Sequence, residues 1–477
     1  MSTLPPIASA AGEPGRRASA RSIAWPMTVL TSLFFMWGFL TVMNDVLIPH
    51  WKAVFALNYS QSLLVQFCFF GAYFIGSVAY YILSITTGDP IRRIGYKRSS
   101  VAGLMVSALG CGLFIPASYS HSYAGFLAAL FVLGLGFTLL QIAANPFVAI
   151  IGPPEGASSR LNLAQAFNSL GTTLAPLIGG WLIFERFQGD EAIRYPYALY
   201  MGVFLVLAAW VAFTPLPEPP IAPIAASNAL RHPQLRWGMV AIFCYVGAEV
   251  AIGSLMINYL GSQGVLGLPE ASAKHYLSLY WGGAMTGRFL GSVALARKVP
   301  ALRRILLMVP LGTAMFLLLH SLNASDRFLL QHSWPMAAII VANMAAFVLA
   351  GPHPSRALGL FSLAALGLLI TTMLTHGAWA LWAIVAIGVF NSILWSNIFT
   401  LSIDGLKEDT SQGSSLLVMM IVGGAAIPTL QGALIDLLAD QQDPHAGLKI
   451  SFLLPAACYA FLAWFGFRGS RHPQPDA

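Results

Sequence analysis

Tyr73-Phe-Ile-Gly-Ser-Val-Ala79 returns as Arg288-Phe-Leu-Gly-Ser-Val-Ala294, 215 positions later. A second set of matches sits at another distance. Asn145-x-Phe147 returns as Asn397-x-Phe399, and Gly171, Pro176 and Gly180 return as Gly423, Pro428 and Gly432, all 252 positions on. One short match is a coincidence; a constant offset over two successive segments marks an internal repeat. The offset grows by 37 between the two sets, which is room for two short helices added to the second copy. They are expected near 303–351.

Composition says what kind of repeat this is. Of 477 residues, 9% are charged and 57% hydrophobic. The mean hydropathy is +0.72. Soluble domains run near 25% charged. That much apolar surface cannot be hidden from water, so a soluble enzyme, a disordered chain and a nucleic-acid binder are excluded. Lipid must take the place of water. The first apolar run, about 23–48, exceeds a signal peptide's core and reads as a retained span. Runs long enough to cross a bilayer, about 17–25 residues, then recur to give fourteen, the last at about 448–467. The fold class is all-α and polytopic, with two six-helix halves plus an inserted pair.

Lys and Arg placement supplies the orientation. With the N-terminus in the cytoplasm and sides alternating, nineteen basic residues fall inside and six outside. An even count of spans puts both termini in the cytoplasm. The Pro-rich stretch Leu216-Pro-Glu-Pro-Pro-Ile-Ala-Pro follows the sixth span and reads as a central linker. The expected organisation is a disordered tail (1–22), a first half (23–214), a linker (215–234), a second half with the insert (235–468) and a second tail (469–477). Cys68, Cys111, Cys244 and Cys458 each lie in an apolar run and read as packing groups, with no disulfide framework or metal site.

A charge in the bilayer core costs at least about 2.5–3.5 kcal/mol on insertion scales, so the few present are expected to face a cavity. Asp45 lies in the first span and Glu249 in the seventh, spans that are equivalent under the repeat. A carboxyl that gains and loses a proton as a cavity switches sides is what proton coupling needs. Arg288, in the eighth span, could be a counter-ion, but as a residue near a helix end it is expected to snorkel to the cytoplasm. Polar amides form a second group: Gln141 and Asn145 in the fourth span, Asn162, Gln165 and Asn168 in the fifth, Asn391 and Asn397 in the twelfth apolar segment. The spacing of three in the fifth span places its amides on one helix face. Amides donate and accept at once, which suits the vicinal hydroxyls of a neutral sugar; singly, each is equally well interhelical glue. Trp37, Tyr280, Trp281 and Trp395 could stack on a sugar's apolar face.

Other chemistry is poorly supported. The chain has no Gly-Lys dipeptide and hence no Walker A loop. Its ten histidines are scattered without metal-ligand spacing, and no GxSxG occurs. It is not expected to be an enzyme or to hold a cofactor; the energy source must be an ion gradient or the substrate's own.

Several blocks, in order, resemble one family. These are Phe35-Met-Trp-Gly-Phe-Leu-Thr-Val-Met-Asn-Asp-Val-Leu-Ile-Pro49, Ala143-Ala-Asn-Pro-Phe147, Arg160-Leu-Asn-Leu-Ala-Gln-Ala-Phe-Asn-Ser-Leu-Gly171, Gly287-Arg-Phe-Leu-Gly291 and Gly413-Ser-Ser415. They are similar to the fucose–galactose–glucose:proton symporter family of the major facilitator superfamily. The basic loop Gly88-Asp-Pro-Ile-Arg-Arg-Ile-Gly-Tyr-Lys-Arg98 resembles that superfamily's loop signature, with Arg92 where an acidic residue stands. The resemblance implies proton-driven sugar uptake by alternating access. It implies that Asp45 is a protonation site and that Gln165 and Asn168 contact sugar. Gln141 stands where fucose-transporting members have a glutamate and cannot titrate. Val246-Gly-Ala-Glu-Val250 looks like the glucose/galactose branch, and Glu249 is expected to take over part of the lost proton role. The reading is a sugar:proton symporter of the inner membrane, taking up glucose or galactose as a monomer. Its site is Asp45 and Glu249 for the proton and Gln141, Asn145, Gln165, Asn168, Trp37, Tyr280, Asn391 and Trp395 for sugar. The rivals are a symporter for fucose, mannose or an N-acetylhexosamine, a sugar or drug exporter, and a transporter-like sensor.

Overall fold

A computed structural model describes residues 20–55, 59–187, 191–218, 228–262, 265–323, 333–438 and 446–470. For 44–50 it describes the backbone and not the side chains. Among the described residues the secondary structure is entirely helical. The first helices are α1 (Ala20–Val54), α2 (Tyr59–Thr86), the short α3 (Pro90–Ile94), α4 (Tyr96–Tyr119), α5 (Tyr123–Ile150), α6 (Ala157–Gly180) and α7 (Glu191–Phe213). After the linker come α8 (Pro233–Gly261), α9 (Glu270–Ala294), α10 (Ala301–Leu322), α11 (Trp334–Ala350) and α12 (Pro354–Leu374). The chain ends in three interrupted crossings: α13 (Gly377–Asn391) with α14 (Leu394–Ile403), α15 (Thr410–Met419) with α16 (Gly423–Leu437), and α17 (Ala446–Ser451) with α18 (Leu453–Trp464).

Eleven helical segments among the described residues are long and apolar enough to cross a bilayer. Three others are not in that set. The helix α11 is apolar but has 17 residues. The other two, α6 and α9, are full-length but polar, and they pack against each other. Polar helices belong in the middle of a membrane bundle, where they meet protein instead of lipid. The pairing of α6 with α9 is therefore what puts a polar region at the centre.

Packing among the helices from α8 onward repeats packing among α1–α7. Helix α1 packs on α6 as α8 packs on α16; α2 packs on α5 as α9 packs on α13; α4 packs on α5 and α7 as α12 packs on α13 and α18. Helices α10 and α11 have no counterpart among the described residues of α1–α7 and pack on α9, α12 and α13. One repeated glycine pair, Gly171 and Gly423, has the same packing role in both places. A Cβ on Gly171 would run into the Phe35 carbonyl of α1, and one on Gly423 into the Phe243 carbonyl of α8. Close helix approach in lipid needs such small residues. Gly171→Val and Gly423→Val are each expected to cut the yield of monodisperse protein severalfold, because overpacking costs about 1–3 kcal/mol or more. Gly202→Val, with nothing within 4 Å, should be neutral. Equal yields of the three variants in detergent size-exclusion would disprove the close approach.

At one face, hydrogen bonds join residues before the linker to residues after it. Ser158 Oγ lies 2.7 Å from Thr400 Oγ1, and Ser159 donates to the Ser292 carbonyl at 2.5 Å. Gln412 donates to Ser84 Oγ at 3.0 Å, and Arg92 pairs with Glu408 at 3.1 Å. Asp89 is buried; it caps α3 through the Ile91 amide, accepts from Tyr80 at 2.6 Å and accepts from Ser411. Among the described residues, hydrogen bonds between the two parts reach no further toward the other face than Thr173 and Met285. The molecule is laced shut at one end.

Candidate functional site

Glu249 is buried on α8, one turn after Tyr245. That spacing of four lets Tyr245 donate to Glu249 Oε1 at 2.7 Å. Tyr280, on α9, donates to the Glu249 backbone carbonyl at 3.2 Å. Asn391, at the break between α13 and α14, donates to Tyr280 Oη at 2.9 Å and accepts from Tyr459 Oη at 2.7 Å. Tyr280, Asn391 and Tyr459 are thus one chain of hydrogen bonds ending on the backbone beside the carboxyl, a buried network in which each member named has a partner.

Arg288 does not snorkel. The expectation of a cytoplasm-seeking side chain is overturned, because α9 packs on α6 and α13, and Gly287 and Gly291 beside Arg288 lie against Val389, Ser392 and Asn162. Its Nη2 lies 3.7 Å from Glu249 Oε1. Its Nε donates to the Ser392 carbonyl at 3.1 Å, and its Nη1 donates to Ser169 Oγ on α6. Ser169 in turn donates to the Gln165 carbonyl at 3.0 Å. One guanidinium therefore touches the acid on α8, the broken crossing at Ser392 and the amide helix α6. A partly buried cation held in this way is paired and hydrogen-bonded, as its desolvation demands.

The three amides of α6 diverge. Three residues advance a helix by about 300°, so Asn162 and Asn168 end up about 120° apart. Asn162 donates to Asn397 Oδ1 at 3.3 Å, Gln165 to Asn145 Oδ1 at 3.5 Å, and Asn168 to the Phe34 carbonyl of α1 at 3.0 Å. The single shared face is thus corrected: Gln165 meets α5, while the Asn168 amide is spent on α1. Asn145 also donates to the Gln141 carbonyl at 3.0 Å. Trp37 is buried and donates to Tyr73 Oη at 3.1 Å. Trp281 is 40% exposed, and its ring lies against Gly253 of α8. The side chain of Asp45 lies outside the described residues; its backbone is helical within α1.

Some buried polar atoms have no protein partner. Gln141 Oε1, Asn162 Oδ1, Ser392 Oγ, Trp395 Nε1 and Ser396 Oγ are five of them, and all lie on α5, α6 or the broken α13–α14 crossing. Such atoms call for an explanation, and a polar ligand or ordered water is the usual one. Both donors and acceptors are present in the set. A cavity of about 650 Å³ lies elsewhere, at the laced face, lined by Arg92, Tyr96, Glu155, Arg297, Asp404 and Glu408 among others. None of the nine candidate residues with described side chains lines it, so it is a vestibule at the laced face and not the site.

Sequence reasoning missed Tyr245, Ser169, Ser392 and Tyr459. Tyr245 was readable, since it sits four residues before Glu249. Tyr459 carried no local signal.

The family model of the Major Facilitator Superfamily matches residues 27–355. The glucose/galactose transporter of Brucella abortus is 42% identical over 465 residues, covering 95% of this chain and 96% of that one. The L-fucose-proton symporter of Escherichia coli is 27% identical over 479 residues, covering 94% and 93%. A solved structure of the major facilitator superfamily transporter FucP in the outward conformation aligns with a TM-score of 0.71 at 27% identity, covering 92% of this chain and 97% of that one.

Proposed function

The chain belongs to the major facilitator superfamily of membrane transporters, and on that premise we propose that it takes up a glucose- or galactose-type hexose together with a proton by alternating access. The observation that carries this reading is the junction of Glu249, Arg288 and Ser169, which ties a buried acid to both parts of the bundle. The kinship with a glucose/galactose transporter at 42% identity supports the hexose, and the fucose-proton symporter supports the proton. The orphaned polar atoms on α5, α6 and α13–α14 support a ligand rich in hydroxyls.

Fourteen crossings are part of the proposal: the eleven apolar ones with α6, α9 and α11. Two six-helix halves, 23–214 and 235–468, with α10 and α11 inserted in the second, are supported by the repeated packing. The Lys and Arg bias supports cytoplasmic termini in an inner membrane. On that orientation the laced face is cytoplasmic, and the conformation described is closed inward.

The mechanism follows. Sugar enters from outside and bonds to Gln141, Asn145, Gln165 and the side-chain oxygen of Asn168, whose nitrogen is held by α1, on one side and to Trp395 and the Tyr280–Asn391 pair on the other, with Trp37 beside it. Asp45 takes a proton from the outside. If the Phe35–Gly171 and Phe243–Gly423 crossings are equivalent points, Asp45 lies four residues farther along its helix than Glu249, about 6 Å outward. Protonation of the outer acid and of Glu249 loosens the hold of Arg288, and the halves rock about the α6–α9 contact. Uptake of labelled glucose by proteoliposomes is expected to be concentrative only under an acid-outside gradient. Accumulation that ignores the gradient would reject coupling, and competition by a hexose panel would identify the sugar.

A further inference from the structure

The inserted pair α10–α11 is framed by cations. Arg297, Lys298, Arg303 and Arg304 lie between the end of α9 and the first turn of α10; His353 and Arg356 lie at the N-cap and in the first turn of α12. The two connections are pinned together. Arg297 donates to the Pro352 carbonyl at 3.0 Å and its Nη2 lies 3.4 Å from His353 Nδ1. Arg304 donates to the Ala294 carbonyl at 2.8 Å. Burial and the guanidinium groups of Arg297, Arg356 and Arg304 hold the His353 imidazole below its ordinary pKa, as expected where positive charge is crowded.

None of the five Lys and Arg side chains pairs with a carboxylate among the described residues. The corresponding loop of the first half is different, for there Arg92 is paired with Glu408. Arg297 borders the vestibule that holds Glu155, Asp404 and Glu408, but Lys298, Arg303, Arg304 and Arg356 do not. Two helices begin in the cluster, α10 and α12, and neither N-terminus has a side-chain cap. Their first-turn N–H groups add to the positive potential.

Apolar surface adjoins the charge. Leu302, Leu306 and Val309 on α10 and Val348 and Leu349 on α11 are each more than half exposed. A cationic rim above an exposed apolar strip is complementary to an anionic headgroup with acyl chains below it. A free anion would have no use for the strip. We propose that the base of the inserted pair is a binding site for an anionic glycerophospholipid, its phosphate held by Arg303, Arg304 and Arg356 and its acyl chains lying along α10 and α11. The insert is then a lipid-docking buttress for α9, the helix that carries Arg288.

The test is native mass spectrometry of the full-length protein titrated with phosphatidylglycerol or with phosphatidylcholine. The wild type is expected to retain phosphatidylglycerol preferentially. Arg303→Gln with Arg304→Gln should cut that preference about thirtyfold, from about 1 kcal/mol per cation at a membrane surface and tenfold per about 1.4 kcal/mol. Arg98→Gln with Arg236→Gln removes the same charge from exposed positions at the starts of α4 and α8 and should leave the preference intact. An equal loss in both double variants would reduce the effect to general surface charge and overturn the site. No preference in the wild type would also overturn it, and displacement of phosphatidylglycerol by millimolar inorganic phosphate would replace the lipid with a free anion.

Discussion

Asp45→Asn is expected to abolish sugar accumulation while leaving sugar exchange intact. A gradient of one pH unit is worth about 1.36 kcal/mol per proton. A symporter moving one proton with each sugar can therefore concentrate sugar up to about tenfold. Asparagine keeps the size and hydrogen bonding of the protonated acid but can neither bind nor release a proton. The halves should still rock with sugar bound, because the variant stays in the neutral form that permits rocking. In proteoliposomes under an acid-outside gradient of one unit, the accumulation ratio should fall from near that limit to about one. Counterflow of labelled against unlabelled sugar should remain within severalfold of wild type. Wild-type accumulation by the variant would exclude Asp45 as the proton carrier.

Arg288→Gln is expected to be as damaging by another route. Removing one partner of a buried ion pair costs about 3–5 kcal/mol, because the remaining charge is left uncompensated. Here the loss falls on three contacts at once: Glu249, the Ser392 carbonyl and Ser169. The variant should melt well below wild type in detergent and show both uptake and counterflow reduced at least tenfold. The double variant Glu249→Gln with Arg288→Gln removes the stranded charge and should recover most of the melting temperature without recovering concentrative uptake. That split separates a structural pair from a coupling one. If Arg288→Gln alone melts and transports like wild type, the pair carries neither stability nor mechanism.

Much of the site was readable as types of residue, and less of it as contacts. Glu249 stood out because a carboxyl in an apolar run is costly, and its neighbour Tyr245 could have been found by helical spacing alone. Arg288 was misjudged for a physical reason. Its position near a helix end allows snorkelling, and nothing local says that α9 lies at the centre of the bundle. The α6 amides were likewise grouped on one face by their spacing, yet α1, α5 and the α13–α14 crossing each took one. Spacing gives angles around a helix; it does not say which neighbour stands at each angle.

The sequence by itself determined that this chain lives in lipid and that it carries matches at two constant offsets, from which two halves and an inserted pair are proposed. Partition into a bilayer depends on composition over about twenty residues at a time, and a repeat is visible wherever close helix approach demands the same small residues. Only the tertiary structure decided that Arg288 bridges the two parts and that one face is laced shut. It also decided that α6 and α9, more polar than the other spans, form the central contact. Those outcomes depend on where distant helices cross, and a charge or an amide takes whichever partner the crossing brings within about 3 Å.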